Sequence, residues 1–430
     1  MMEHKHTFTN RSSRSRYTRR RFLATLSKGA VLAGLGVFGA GSEVAVPGLF
    51  GGGLIPNAWG EIAPNLLPKP DMIVHSQNPF NGEFPPHLLD ADVTPTIRHF
   101  VRNNSSIPKR AKFGDLHGWK LTIDGEVHRK LTLSMDDLMR FPNVTAHAVV
   151  ECAGNGRSLF TPRVDGTQWI RGAVGCSKWT GVRLRDVLKA AGLKNTAVYT
   201  GNYGEDLPVD SGEAFSRGIP IEKAMDEHTL IAFKMNGEDL PAAHGFPARL
   251  IVPGWIGSAM QKWLNRILIR DRVHDSKKMS GYSYRIPAHP PVPGITSPEN
   301  EMEIATSALI KSLITRPKSN AATDSDRLEI SAGSPVQVGG HAWSGENKVD
   351  KVQISTDYGI KWQETRLIKP SNRYAWYHWE TETAFEKRGY YEIWARAFDN
   401  KGNAQPFRQP WNPGGYLGNV IHRVPILIDS

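Results

Sequence analysis

Val150-Glu151-Cys152-Ala153-Gly154-Asn155-Gly156-Arg157 is the stretch from which the rest of this 430-residue sequence is best read. The apolar run Ala146 to Val150 predicts a strand, and the glycines after Cys152 predict a tight turn at its end. A thiol presented at a strand end, beside glycines that let another group approach the backbone, is a good place to hold something large. Three readings of Cys152 stay open on these residues alone: a buried structural thiol, a nucleophile needing a histidine partner, or a ligand to a soft-preferring metal. Cys176 is the only other cysteine. Two are too few for a disulfide framework, the spacings of a tetrahedral zinc site are missing, and no Cys-x-x-Cys-His is present to attach a c-type haem.

Around this motif the pattern is that of an α+β domain. Trp119 to Gly125 alternates as a strand ending in a turn. Ser134 caps a short helix with Asp136 and Asp137 in its first turn. Val182 to Ala191 predicts a helix stopped by Gly192. Ala197 to Thr200 and Arg249 to Val252 predict short strands, without the regular alternation of a doubly wound sheet. Glu61 to Lys112 shows no sustained period and predicts an extended arm. Ser283 to Pro298, with five prolines, predicts a linker or long excursion. Beyond it, Val336–Val338, Lys351–Ser355, Trp376–Glu380 and Tyr391–Phe398 are β-rich and separated by turns such as Asp357-Tyr358-Gly359. They predict an all-β, immunoglobulin-like sandwich. The expected organisation is a leader over 1–60, a catalytic domain over 61–298 and the sandwich over 299–430.

The net charge of +11 suggests a nucleic-acid partner until it is located. Eight of the 53 basic residues fall within the first 28 positions against one acid, Glu3, which leaves a net of +4 beyond Lys28. The basicity belongs to the leader, so no nucleic-acid footprint is expected. Thr18-Arg19-Arg20-Arg21-Phe22-Leu23 resembles a twin-arginine export signal, followed by an apolar stretch from Gly29 to Ala40 that is too short to span a bilayer. Cleavage near Ala58-Trp59-Gly60, a periplasmic location and no stable membrane anchor are the expectations.

Further segments carry a resemblance. Cys152-Ala153-Gly154-Asn155-Gly156-Arg157 resembles the molybdenum-ligand loop of the sulfite oxidase family. Phe100-Val101-Arg102-Asn103, Gln168-Trp169 and Trp179 to Leu184 resemble others of its elements, in order. His244 to Arg249, Val252-Pro253-Gly254 and Lys262-Trp263-Leu264 resemble its pterin-binding run. Ala342 to Gly345, Ser355 to Gly359 and Trp411-Asn412 resemble its dimerisation domain. The match runs from about Phe100 to the C-terminus.

The resemblance implies a sulfite-oxidase-type molybdopterin domain, a molybdenum–molybdopterin cofactor with Cys152 as thiolate ligand, and no haem in this chain. It implies that Arg102, Arg157, Trp169 and Tyr284 face the substrate, with Tyr282 as an alternative register for the tyrosine. Phe100, Arg102, Asn103, Asn104, His244, Arg249, Ser258 and Lys262 would hold the cofactor. The implied reaction oxidises sulfite or a related reduced sulfur compound to sulfate, with electrons passing to a c-type cytochrome and a homodimer formed through the sandwich.

Two positions depart from the family. Asn104 replaces a common histidine, and Gly414 stands where sulfite oxidases place a third substrate arginine. The second departure moves weight toward sulfane dehydrogenase subunits, which act on sulfur borne by a carrier protein. Reduction of an oxide and, from another class, a non-catalytic exported binding protein are further alternatives.

Overall fold

The computed structural model describes residues 69–206, 214–295, 301–319 and 329–429, so the export-signal readings and the expected cleavage position lie outside the described residues. The expected arm carries structure of its own. Ile73–Gln77, Phe80–Glu83 and Val101–Arg102 form a three-stranded sheet, in that order. Its register sets Arg102 opposite Asn81. Phe84 and Leu89, just beyond it, are buried with Val149 and Val174 and with Leu313, Trp343 and Trp376 from later in the chain. The arm lacked a visible period because its strands are two to five residues long, too short for alternation to register.

Two five-stranded sheets follow. In the first, Asn143–Glu151 pairs antiparallel with Val174–Arg183, which pairs with Leu230–Met235; Glu238–Asp239 and Arg249–Ile251 both pair with that strand. In the second, Leu131–Leu133, Leu121–Gly125, Leu264–Arg270, Tyr199–Gly204 and Ser216–Arg217 lie in that order, with one parallel pair between Leu121–Gly125 and Leu264–Arg270. A single apolar core joins both sheets, including Trp119, Trp179, Leu250 and Ile267, each at most 2% exposed.

Helices are few and short. Ser134 caps Met135–Met139 with a reciprocal capping box to Asp137, as its sequence predicts. Leu184–Ala191 buries Leu184, Val187, Leu188 and Ala191, the i, i+3, i+4, i+7 face of one helix. This helix starts two residues later than expected. Val182 and Arg183 belong to the preceding strand, where Val182 pairs with Asn143 and Ile231. The β-branched valine gains more from the pleated sheet than from a first helical turn. No helix among the described residues is long and apolar enough to cross a membrane.

The C-terminal region is all-β. One sheet orders Lys311–Arg316, Pro335–Trp343, Tyr377–Ala384 and Arg366–Ile368; the other orders Gln363–Glu364, Val349–Ser355, Gly389–Asp399 and His422–Ile428. Val338 and Trp379 from one sheet and Val352, Ile393 and Ile426 from the other share one core, as a sandwich requires. The proline-rich stretch is more than a linker. Arg285–Pro287 pairs with Met302–Ile304, and that pairing fixes the chain just after Tyr284.

Candidate active site

The strand Asn143–Glu151 and the turn after it place Cys152. Its backbone N–H donates to the Ala173 carbonyl at 2.9 Å, and its own carbonyl accepts from Asn155 N–H at 2.9 Å, closing the turn. Gly154 leaves room for the Arg157 guanidinium: a Cβ there would lie 2.5 Å from it and push that side chain aside. Cys152 is a free, half-buried thiol. Cys176 is fully buried, and burial pushes its thiol up to about 12, which leaves it inert at neutral pH.

Cys152 lies on the wall of a cleft of about 680 Å³. Phe100, Arg102, Asn104, His244, Arg249, Ser258, Lys262 and Tyr284 line the same cleft, so nine of the twelve residues expected at the site meet there. The other three do not line it. Asn103 lies behind the wall; its backbone N–H donates to Asn81 Oδ1 at 2.7 Å, and its side-chain oxygen accepts from Lys262 Nζ. Trp169 is fully buried, edge-on to Phe100 with ring centroids 6.3 Å apart, and packs behind the cleft wall. Arg157 sits one ring away. Its Nε donates to Gly414 O at 3.1 Å, its Nη1 to Thr167 O at 3.0 Å, and its guanidinium lies 5.3 Å from the Tyr416 ring.

Between the two candidate tyrosines the structure selects the second. Tyr282 is 46% exposed, whereas Tyr284 is 8% exposed and lines the cleft. Tyr284 takes a left-handed backbone, φ 53°, uncommon for a bulky residue. Its hydroxyl accepts from Asn104 Nδ2 at 3.4 Å, so the residue that departs from the family pattern still touches the site. Arg217, 1% exposed, lies 4.8 Å from the Tyr284 ring, and Tyr416 stacks on that ring at 5.2 Å.

Cations crowd the remainder of the cleft. Lys262 Nζ donates to the carbonyls of Arg102 and Ala243, both at 2.9 Å. Arg249 Nη1 donates to His244 O at 2.8 Å while the guanidinium lies 5.0 Å from the Trp179 ring. Burial lowers Arg249 to about 9 and holds Lys262 well below the usual lysine range. Burial, reinforced by Lys69, lowers His99 to about 3 and holds His244 far below its usual range, so both imidazoles are neutral. Behind the cleft wall, Lys69 Nζ donates to Thr96 O at 2.7 Å and His99 O at 2.8 Å and lies 3.2 Å from His244 Nε2, and burial lowers it to about 7. Among the described residues the only acid lining the cleft is Asp206, raised by burial and bonded to Ser105. A buried group of cations with so little counter-charge is an anion site.

The expected cofactor fits these residues. His99 Nε2, Arg249 Nε, Ser258 Oγ and Gln261 Oε1 are buried atoms of cleft-lining residues with no hydrogen-bond partner among the described residues. Such atoms cost about 1–3 kcal/mol each unless something pairs with them. A pterin with a phosphate offers both the polar edges and the negative charge.

Several groups at the site escaped the sequence, Gln261, Asp206 and Arg217 among them. His99 and Lys69 had no motif to mark them. Tyr416 follows the Trp411-Asn412 element but carries no signal of its own. Its ring lies 2.4 Å from where a Cβ at Gly414 would sit, so it occupies the space that a third arginine would need. Glu151, next to Cys152, is 4% exposed and forms a buried ion pair with Lys311. It also accepts from Asn155 Nδ2 at 2.9 Å and Trp343 Nε1 at 3.0 Å. The adjacency of Glu151 to Cys152 was visible; its partner 160 residues away was not.

Residues 106–278 match the family model "Oxidoreductase molybdopterin binding domain", and 302–429 match "Mo-co oxidoreductase dimerisation domain", which supports a homodimer. The mitochondrial sulfite oxidase of Mus musculus is 33% identical over 388 residues, covering 85% of this chain and 67% of that protein. Sulfite oxidase of Gallus gallus is 32% identical, covering 86% and 80%. An NADH nitrate reductase of Ulva prolifera is 32% identical over 84% of this chain and 44% of its own length. Among solved structures, the sulfane dehydrogenase SoxCD of Paracoccus pantotrophus superposes with a TM-score of 0.67 at 25% identity, covering 89% of this chain and 96% of that one. The thiol at the strand end, the cationic cleft around it and these matches in both regions agree: the chain belongs to the sulfite oxidase family of molybdopterin oxidoreductases.

Proposed function

We propose that this protein is an exported sulfite dehydrogenase, oxidising sulfite or a related reduced sulfur compound and passing electrons to a separate c-type cytochrome. The observation that carries the reading is the half-buried Cys152 thiol facing a cleft rich in buried cations, with Tyr284 and Asn104 on the same cleft. When bound, the cofactor supplies two-electron redox chemistry and oxygen-atom transfer; the protein supplies binding, orientation and electrostatics. Cys152 would give the metal its thiolate, a soft, electron-rich donor. His244, Arg249, Ser258 and Lys262 would hold the pterin and its phosphate, with Phe100, Asn103 and Asn104 shaping the wall. Arg102 and Arg157 would attract an oxyanion. Tyr284, whose hydroxyl oxygen accepts from Asn104, keeps its own hydrogen to donate to a substrate oxygen.

A steady-state assay with sulfite and an artificial acceptor tests the reading, together with elemental analysis. Turnover and about one molybdenum per chain are expected; a metal-free protein would instead be a binding protein. Replacement of Arg19, Arg20 and Arg21 by lysine tests export, because a receptor reads the arginines themselves; unimpaired periplasmic appearance would count against it. The second reading, a sulfane dehydrogenase subunit acting on carrier-borne sulfur, is favoured by Gly414 and supported by the fit to SoxCD. Activity on a protein-bound sulfane with none on free sulfite would select it. Relatives named nitrate reductase make oxide reduction a third assay to run on the same preparation.

A further inference from the structure

In the C-terminal sheet that contains Pro335–Trp343 and Tyr377–Ala384, His341 and His378 are directly opposed in the antiparallel register. Opposed residues share one face of the sheet, with Cβ atoms about 4.5–5.5 Å apart. Their rings meet edge to face with centroids 5.3 Å apart. His341 is fully buried, and among the described residues neither ring nitrogen has a partner at good hydrogen-bond geometry, the Asp90 backbone being near enough only for a weak contact. Buried polar atoms are almost always well paired, so an imidazole matched this poorly keeps a lone pair free for another group.

A third group completes the arrangement. Trp376 stacks on His341, centroids 4.1 Å apart and planes within 5°, which locks the ring. The same Trp376 donates its Nε1–H to the Asp92 carbonyl at 2.7 Å, fixing the N-terminal arm over the sheet. Asp92 Oδ1 thereby lies 3.5 Å from His378 Nδ1. One ligand atom from each of Asp92, His341 and His378 lies within 4.8 Å of the others. Tetrahedral zinc with ligands at about 2.0–2.1 Å spaces them by about 3.3 Å, within reach of small side-chain rotations. Asp92 is exposed, so water can supply a fourth ligand.

We infer that Asp92, His341 and His378 form a site for one divalent transition-metal cation of the zinc class, distinct from the Cys152 cleft and joining the arm to the C-terminal domain. Two imidazoles and a carboxylate are the donor set that borderline cations prefer. The charge nearby favours a cation overall. Arg316 approaches His378 Nε2 at 3.1 Å, but it is paired with Asp90 at 2.6 Å and Glu380 at 3.3 Å; Arg366 also pairs with Glu380. Arg316 donates to His378 Nε2, so metal on Nδ1 requires the imidazole to move its hydrogen to Nε2 and Arg316 to swing wholly onto Asp90 and Glu380, leaving Glu380 Oε2, 3.6 Å away, to accept the Nε2–H.

The test uses untagged, full-length, molybdenum-loaded protein dialysed against chelator and then titrated with Zn²⁺ by calorimetry and with Co²⁺ by visible absorption. One Zn²⁺ per chain and tetrahedral Co²⁺ bands are expected. Asp92→Ala and His378→Ala should each weaken zinc binding by about tenfold or more, while Cys152→Ser leaves it unchanged. Neither variant alters the buried His341, so both should fold, which a thermal melt of each verifies. No zinc binding after chelation, or the same affinity in both variants as in the parent, would overturn the assignment.

Discussion

His99, Arg249, Ser258 and Gln261 line the Cys152 cleft and keep buried atoms that nothing among the described residues pairs. Arg157, Tyr416 and Gly414, at the expected substrate side, are instead tied to one another: Arg157 donates to Gly414 O and Thr167 O and lies against the Tyr416 ring. The first group is preorganised for a ligand that it needs for its own hydrogen bonding. The second is internally bonded, and its pocket can accept or refuse substrate at smaller cost. A large resident cofactor and an exchanging substrate call for that difference, since tight retention suits the one and turnover the other.

The sharpest way to break this comparison is at the residue between the two groups. Cys152→Ser should lower turnover by more than about 100-fold, beyond what loss of a second-shell partner costs, whereas Cys176→Ser leaves most of it. A fully active Cys152→Ser protein would remove the metal-ligand assignment and leave only the anion site. Next in size is the support behind Cys152. Lys311→Met strands the Glu151 carboxylate in the interior and should cost about 3–5 kcal/mol of stability in urea unfolding. A shift under about 1 kcal/mol would mean that the two domains hold the cysteine loop independently of that pair.

Arg157→Gln should raise KM for sulfite by about one to two factors of ten, the loss of a charge-assisted bond worth about 1.5–3 kcal/mol. If kcat falls and KM does not, Arg157 positions the Gly414 loop and does not meet substrate. Gly414→Arg should fail to improve sulfite binding, because its Cβ would collide with Tyr416. Overpacking of that kind costs about 1–3 kcal/mol. The double replacement Gly414→Arg with Tyr416→Ala frees the space and should lower KM for sulfite relative to Tyr416→Ala alone. No such lowering would argue for the carrier-borne substrate.

The smallest effect is a proton count. Lys69 has a folded value of about 7 against 10.5 in the unfolded chain. Between those values the unfolded state holds more protons, so the cofactor-free protein gains stability as pH rises through that window. An anion beside Lys69 restores its proton, so phosphate binding at pH 8 should take up protons and weaken as pH rises. Calorimetry in buffers of different ionisation enthalpy reads this directly. Lys69→Met should reduce the uptake, leaving the share that belongs to Lys262; an unchanged uptake would remove Lys69 from the anion site.

Much of this site was legible because its markers are local. The glycine turn after Cys152, the His244–Arg249 run and the Ser134 cap are each set by neighbours along the chain, and the structure keeps all three. Trp169 shows the limit: a tryptophan beside a site motif reads alike whether it lines the pocket or supports it, and only packing against Phe100 placed it in the core. The choice between Tyr282 and Tyr284 is of the same kind. It turns on a left-handed backbone at Tyr284 and on pairing with Met302–Ile304, neither of which two residues of sequence can express.

By itself the sequence determined the succession of an α+β region and an all-β region, the cysteine at a strand end, and most of the residues around the cleft. These follow from periodicity, turn chemistry and short motifs, which act over a few residues. The tertiary structure decided the rest: the Glu151–Lys311 pair behind the cysteine, Tyr416 in the space beside Gly414, Lys69 next to His244, and Asp92 over the His341–His378 pair. Three of the four join residues at least 160 positions apart in ways that depend on which strands become neighbours, and burial then sets their charge. Strand pairing and desolvation belong to the whole fold, so no local pattern could have announced them.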